Sequence, residues 1–363
     1  MTNIGIVGTG RLGLCLALCL DEAGYAVYCY DTNSEYLQYL QNKTLKTYEP
    51  MVSEMLAKSN LHICQNDKDV IQKCDTIFVL VQTPSTKEGT YDHSYINKFI
   101  TQCIEYGKQE VCKTLVISST VMPEYTDSIA ISLNELNYKV CYNPMFIAQG
   151  SIIHDLKNPP LILIGSDFDA TALCLKKIHR SFATSANIHK MSRTEAEICK
   201  IAINCFITAK ISYANMIGDL LHKKGFEPSS VLNAIGSDSR IGNKCLKYGH
   251  GFGGPCFPRD NRALYHYADS QGFAFELCKT TDNMNATHLL YQYHDMKNKN
   301  EQVVFTYITY KDDSDILEES QKLRLACMLA EDGCKVVIKE RDHVINKLKE
   351  LYKDMFEYVL IHT

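Results

Sequence analysis

The chain has 363 residues, 45% of them hydrophobic and 22% charged, with a formal net charge of −4. It has room for two or three domains. No basic surplus argues for nucleic acid, no charge run for a tail, and no apolar run is long enough to span a bilayer. Its 16 cysteines include no C-x-x-C pair, which argues against a metal centre. The start lacks the cationic and apolar segments of a secretory leader, so the cysteines read as reduced thiols and the expected compartment is cytoplasmic.

The elements follow in chain order. Ile4 to Val7 is a short apolar strand, followed by Gly8-Thr9-Gly10-Arg11-Leu12-Gly13 and a helical run from Leu14 to Leu20 that ends near Gly24. Val27 to Tyr30 is the next strand, and Asp31 closes it. Strand, G-x-G-x-x-G, helix, strand and acid together are the context a dinucleotide fingerprint requires. Gly8 makes the tight turn, Gly10 admits a pyrophosphate against the backbone, and Gly13 packs helix on strand. The helix N-terminus offers partial positive charge to phosphates. Asp31 is placed to accept from both ribose hydroxyls and to repel a 2′-phosphate, so NAD is expected rather than NADP.

Further strands are expected at Thr76–Val81, Leu115–Ser118 and Leu161–Ile164, with a helix from Tyr95 to Tyr106 between them. That alternation predicts a mostly parallel, doubly wound sheet. Two polar loops follow strands where such sheets bind ligands: Gln82 to Thr86, with Thr83, and Ser119 to Pro123, with Thr120. Each is equally readable as a capped strand-to-helix turn. Ser192-Arg193-Thr194-Glu195 is a capping box opening a helical pattern that runs to about Lys224, where Gly225 and Pro228 stop it. At 1.5 Å per residue such a helix is roughly 45 Å long, which suits a bridge between domains or a dimer core. Lys200 and Asn204 share one face of it in apolar surroundings; the lysine either snorkels to water or meets an anion. From Val303 a second, smaller α/β unit appears: a strand at Val303–Phe305, a helix from Gln321 to Glu331, and strands at Lys335–Ile338 and Glu357–Ile361.

The segment Gly251-Phe252-Gly253-Gly254-Pro255-Cys256-Phe257-Pro258-Arg259-Asp260 stands apart. Its glycines fix an irregular loop that presents one cysteine, with an arginine and a carboxylate just after it. A thiol so placed is either a nucleophile or a small core residue.

Taken together, the chain resembles the UDP-glucose/GDP-mannose dehydrogenase family along nearly its whole length. The carrying motifs are Gly8 to Gly13, Thr83-Pro84-Ser85, Ser119 to Pro123, Asn143-Pro144-Met145-Phe146-Ile147-Ala148-Gln149-Gly150, Glu195 to Asn204, Asp238 to Gly242, the Cys256 loop and Lys311. The resemblance implies an α/β architecture in three parts: an amino-terminal Rossmann-type NAD-binding domain at 1–185, a long central helix with an all-α dimerisation region at 186–290, and a smaller carboxy-terminal Rossmann-like UDP-binding domain at 291–363. It implies oxidation of the C6 alcohol of a nucleotide sugar to the carboxylate with two NAD, UDP-glucose being the expected substrate and a homodimer the expected assembly. Cys256 would attack the C6 aldehyde, Lys200 and Asn204 would hold the reacting oxygen, and Thr120 and Asp260 would position water. Cofactor contacts are expected from Gly8, Gly10, Arg11, Leu12, Gly13, Asp31, Thr83, Thr120 and Arg259. Substrate contacts are expected from Phe146, Gln149, Lys200, Asn204, Tyr248, Phe252, Gly253, Phe257 and Lys311, and from Arg240 of a partner copy.

Departures from the family pattern are Met145 for a glutamate tied to thioester hydrolysis, Gln149 for a second glutamate, and Leu317 for an arginine near the NAD phosphates. GDP-mannose or another UDP-hexose is the rival substrate. Pro159-Pro160 is reminiscent of the GDP-mannose branch, while Asn143-Pro144 argues against the acetylhexosamine branch. A nucleotide-sugar-binding protein with impaired turnover is the rival class, opposed by the joint presence of Cys256, Lys200, Asn204 and Asp260.

Overall fold

The computed structural model describes residues 2–299, 302–312 and 314–361. Its backbone divides into two compact units, 1–200 and 201–363.

The first unit is built on eight strands: β1 (Asn3–Val7), β2 (Ala26–Tyr30), β3 (His62–Ile63), β4 (Thr76–Val79), β5 (Lys113–Ile117), β6 (Tyr138–Tyr142), β7 (Ile162–Gly165) and β8 (Ile188–Met191). They lie in the order β3-β2-β1-β4-β5-β6-β7-β8. Every neighbouring pair is parallel except β6 with β7. The chain reverses its direction of travel across the sheet between β1 and β4, the place where such sheets open a crevice for ligands. Ile4 and Ile6 of β1 pack on one side with the helix Arg11–Glu22, which buries every residue from Gly13 to Leu20. Val7, Ile77 and Val79 face a second core with Phe99, Ile117 and Val140. Burial on both faces explains why the central strands read as unbroken apolar runs. Cysteines are part of this filling: burial pushes the thiols of Cys19, Cys74, Cys103 and Cys141 up to about 12, and raises Cys15 and Cys29 as well.

The expected Rossmann-type sheet is therefore present. Leu80, Val81 and Ser118 fall just outside their strands, because the chain leaves the sheet there to form the ligand-side loops, and Leu161 precedes β7 by one residue. Strands β3, β6 and β8 were not anticipated from the pattern. β3 has only two residues, β6 carries Lys139 between Tyr138 and Val140, and edge strand β8 carries the exposed His189 and Lys190.

The helix Arg193–Lys223 opens as its capping box predicts: Ser192 N–H and Oγ both donate to Glu195 Oε2 (2.8 and 2.7 Å), and Glu195 N–H returns to Ser192 Oγ (3.3 Å). Arg193, almost fully buried, ties its first turn to Asp127 and Asp167 (2.6 and 2.8 Å). The second unit holds most of this helix, the helices Pro228–Ser237, Phe257–Ser270 and Glu276–Lys299, and a small parallel sheet. That sheet has the order β11-β10-β9, with β9 (Gln302–Thr306), β10 (Lys335–Glu340) and β11 (Glu357–Leu360). Val303, Phe305, Val336 and Ile338 pack there against Leu325 and Leu329 of the helix Gln321–Glu331 and Val344 and Leu348 of the helix Asp342–Tyr352. Ile361 lies beyond the last strand. Among the described residues no helix is long and apolar enough to cross a membrane.

Candidate active site

In the first unit a cleft of about 440 Å³ opens at the ends of β1, β2 and β4, lined by Gly8, Gly10, Asp31, Asn33, Gln82, Tyr95 and Lys98 among others. Gly13 is required by contact: a Cβ there would stand 2.0 Å from the Gly8 carbonyl oxygen. A Cβ on Gly10 would meet no atom of another described residue within 4 Å beyond its chain neighbours and its own helix backbone, so the space over that residue is open. Asp31 ties the turn together, accepting from Thr9 N–H (3.0 Å) through one oxygen and from Asn33 N–H (3.1 Å) through the other. Thr9 Oγ1 is buried with no hydrogen-bond partner among the described residues. An open helix N-terminus, a turn with room over Gly10 and a carboxylate at the end of β2 fit NAD. Leu12 is partly buried against the core. Arg11 points elsewhere than at the cleft's ribose end: its Nη1 donates to Gln149 Oε1 (3.0 Å), a pairing that occupies the residue expected to touch substrate.

The two polar loops are bonded to each other. Thr83 Oγ1 donates to the Thr120 carbonyl (2.7 Å), and Ser119 Oγ donates to the Val81 carbonyl (2.6 Å). Met122 N–H donates to His93 Nε2 (3.2 Å), so that ring is neutral at this nitrogen; burial holds His93 down to about 4. Glu197, fully buried, anchors the far end of the loop by accepting from Glu124 N–H (2.7 Å), Thr126 N–H (2.9 Å) and Thr126 Oγ1 (2.7 Å). Burial nonetheless lifts its carboxyl to about 7. One turn on, Lys200 is 9% exposed. Its ammonium donates to the Met145 carbonyl (2.9 Å) and lies over the Phe146 ring, 4.3 Å from the centroid. The Met145 side chain belongs to the apolar core with Ile152, Leu156 and Ile162.

In the second unit Cys256 is exposed and occupies the N-cap of the helix Phe257–Ser270. The N–H groups of that helix end favour negative charge on its sulfur. Asp260, fully buried one turn later, accepts from Asn204 Nδ2 (2.6 Å) and from Arg259 Nε (3.1 Å). Cys205 Sγ reaches the Asp260 carbonyl (3.5 Å). Thus Asn204, Arg259 and Asp260 are brought together at the start of the cysteine's helix. Beside them a cavity of about 380 Å³ is lined by Tyr248, His250, Phe252, Gly253, Phe257, Tyr310 and Lys311, among others. Tyr310 was missed in the sequence. Its hydroxyl is raised by burial and then by the nearby Cys256, and its ring stands 2.5 Å from where a Cβ on Gly254 would be. No local pattern marks a tyrosine 54 positions after the cysteine it faces. Leu317 is partly buried against the small sheet's core.

Arg240 projects from its loop with 86% of its side chain exposed, paired among the described residues with Asp238 (2.6 Å). Phe206, Tyr213 and Leu220 of the long helix, seven residues apart, are 65%, 47% and 57% exposed.

Comparison with known proteins adds the following. The model of the UDP-glucose/GDP-mannose dehydrogenase family's NAD binding domain matches residues 2–183, and that of the family's central domain matches residues 194–287. The UDP-glucose 6-dehydrogenase TuaD of Bacillus subtilis is 28% identical over 377 residues, covering 98% of this chain and 81% of its own. A UDP-glucose dehydrogenase structure from Pyrobaculum islandicum superposes with a TM-score of 0.90 at 26% identity, over 99% of this chain and 86% of that one. A GDP-mannose dehydrogenase from Pseudomonas aeruginosa superposes with a TM-score of 0.61 at 25% identity, over 99% and 87%.

Proposed function

The chain belongs to the UDP-glucose/GDP-mannose dehydrogenase family of NAD-dependent oxidoreductases acting on nucleotide sugars, and we propose that its substrate is UDP-glucose, oxidised at C6 to UDP-glucuronate. The observation that carries this reading is Cys256, exposed at a helix N-terminus with Asp260, Asn204 and Arg259 assembled one turn behind it. The choice of sugar is supported by relatives named UDP-glucose 6-dehydrogenase that cover most of the chain.

In this reading Gly10 and Asp31 would hold NAD, which would supply the oxidant twice per turnover, once for the C6 alcohol and once for the thiohemiacetal. Cys256 adds through sulfur to the C6 aldehyde, and oxidation of the resulting thiohemiacetal leaves a thioester that water hydrolyses. The Lys200 ammonium and the Asn204 amide stabilise negative charge on the reacting oxygen, and Thr120 and Asp260 orient water and take its proton. The cavity of Tyr248, Phe252, Gly253, Phe257 and Lys311 takes the nucleotide sugar; Phe146 and Gln149 are proposed as substrate contacts on the family resemblance alone. The three-part division at 1–185, 186–290 and 291–363 belongs to this proposal, as does a cytoplasmic setting. So does a homodimer: the exposed seven-residue stripe of Phe206, Tyr213 and Leu220 suits a second copy of the same helix, and the projecting Arg240 suits a neighbour's substrate.

The test is NADH formation with a panel of UDP- and GDP-sugars, the acid product quantified. UDP-glucose should give the highest kcat/KM and two NADH per acid; a higher value for GDP-mannose would overturn the substrate.

Burial of Met145 supports a second reading. A thioether in the apolar core accepts no proton from water, so unless Asp260 and Thr120 replace the family's glutamate, the acyl group stays on Cys256. Intact-mass analysis after mixing with UDP-glucose and NAD decides between them: an accumulating adduct supports the stall, and fast acid release without an adduct excludes it.

A further inference from the structure

Two helices of the second unit turn polar side chains toward one loop. Asn285, His288 and Gln292 share a face of the helix Glu276–Lys299, and Asn215 and Asp219 share a face of the helix Arg193–Lys223. All five bond to the segment from Tyr248 to Phe252, which lines the 380 Å³ cavity. Tyr248 Oη donates to Asp219 Oδ1 (2.9 Å), and Gly249 N–H donates to Asn215 Oδ1 (3.1 Å). The Gly249 carbonyl accepts from Gln292 Nε2 (3.1 Å) and faces His288 Nε2 (2.7 Å). Asn215 Nδ2 reaches the His250 carbonyl (3.4 Å). Asn285 brackets Phe252, accepting from its N–H (3.0 Å) and donating to its carbonyl (2.9 Å). The approach is so close that a Cβ on Gly251 would lie 2.1 Å from Asn285 Oδ1.

The centre of this arrangement is His288, whose side chain is 1% exposed. Its Nδ1 stands 2.8 Å from Asp219 Oδ2 and 3.0 Å from Oδ1, while its Nε2 stands 2.7 Å from the Gly249 carbonyl. Both partners are acceptors. A neutral ring has only one N–H, so one lone pair would face an oxygen lone pair; two donors are satisfied only by the imidazolium. The Asp219 carboxylate, 12% exposed, supplies the opposite charge and also takes the Tyr248 hydroxyl. A buried ion pair is a poor source of stability beside an apolar pair of the same volume, so its value lies in geometry.

We propose that Asp219 and His288 form a buried ion pair that positions the Tyr248–Gly253 loop for nucleotide-sugar binding: Asp219 keeps both ring nitrogens of His288 donating, and His288 holds the Gly249 carbonyl. The proposal rests on the reading of that cavity as the nucleotide-sugar site. Neither residue touches the substrate; both act through the loop.

Three measurements test it. First, nitrogen-15 NMR of the histidines in the unaltered protein should show both nitrogens of His288 carrying a proton. Second, Asp219→Leu removes the charge and both acceptors, so Nδ1 and the Tyr248 hydroxyl lose their partner and the ring no longer holds the Gly249 carbonyl in a charge-assisted bond. Loss of that charge-assisted bond should raise KM for UDP-glucose about 10- to 100-fold, with kcat and KM for NAD held within about threefold. Third, Asp219→Asn combined with His288→Gln removes both charges while the asparagine oxygen still accepts from the Tyr248 hydroxyl and the glutamine amide donates to the Gly249 carbonyl, so KM should return to within about threefold of the starting value. One protonated nitrogen on His288, an unchanged KM in Asp219→Leu, or a double variant as impaired as the single one would each overturn the proposal. If the unaltered protein neither binds nor oxidises any nucleotide sugar, the cavity reading fails instead. The NMR signature, with amide exchange at Gly249 to Phe252, then still decides on the ion pair and the loop.

Discussion

Mild acid should weaken the first unit through His179. This side chain is 2% exposed, with Nε2 2.7 Å from Asn143 Oδ1. The Asn143 amide nitrogen donates to the Leu163 carbonyl (2.6 Å), so its oxygen is an acceptor and the ring donates to it. Burial holds His179 down to about 4, against an ordinary value of 6.5. Between those values the unfolded chain binds a proton that the fold refuses, so stability is lost as pH falls from about 6.5 towards 4. At about 1.4 kcal/mol per pH unit, the loss by pH 5 is about 2 kcal/mol. Glu197 acts in the opposite sense: held up to about 7, it is protonated in the fold while an unfolded glutamate is ionised, so it gains stability over the same window. The informative quantity is therefore the stability difference between the unaltered protein and His179→Gln, whose amide still donates to Asn143. Urea unfolding at pH 7.5 and pH 5 should show that difference shift by about 2 kcal/mol against the histidine. An equal difference at both pH values would refute the reasoning, because it would mean that folding does not exclude the proton.

Other expectations follow from the same geometry. Cys256→Ala should make no acid while still binding UDP-glucose, as read by product analysis and calorimetry; near-normal acid formation would remove the covalent step. Asp31 should impose a strong preference for NAD over NADP in kcat/KM, and equal values would show that its carboxylate does not meet the ribose. Gly13→Ala puts a methyl group 2.0 Å from the Gly8 carbonyl oxygen, and the forced shift should cost about 1–3 kcal/mol in stability and weaken NAD binding. Phe206→Glu with Leu220→Glu should yield monomers by light scattering if the exposed stripe is the dimer contact; a persisting dimer would place that contact elsewhere.

Much of the fold was legible because it is local. The run from Ile4 to Asp31 states strand, turn, helix and strand in sequence order, and Ser192 to Glu195 states a helix start; both stand as expected. The helix Gln321–Glu331 matches its expected limits. What was not legible is non-local. Strand β6 was missed although Tyr138, Val140 and Tyr142 favour strand, because Lys139 breaks the apolar run; its pairing with β5 and β7 shows it. Gln149 and Arg11 meet across 138 positions of sequence, and Asp219 meets His288 across 69. Such pairs leave no period or spacing, because each partner is chosen by the fold rather than by its neighbours in the chain. Met145 shows the limit from the other side: its identity was readable as a departure, but its place in the apolar core was not.

Sixteen cysteines would ordinarily defeat a sulfur-directed reagent, yet the core makes this chain a selective target. Thiols raised by burial stay protonated and out of reach, while Cys112, Cys245 and Cys256 are exposed. With Cys112, Cys245 and the half-buried Cys174 and Cys334 replaced by serine, an iodoacetamide or maleimide probe should report chiefly on Cys256, since burial raises the half-buried Cys199 and Cys327. Counting incorporated label would then give the concentration of intact sites in any preparation, and protection by an added nucleotide sugar would give its occupancy, without any need for turnover.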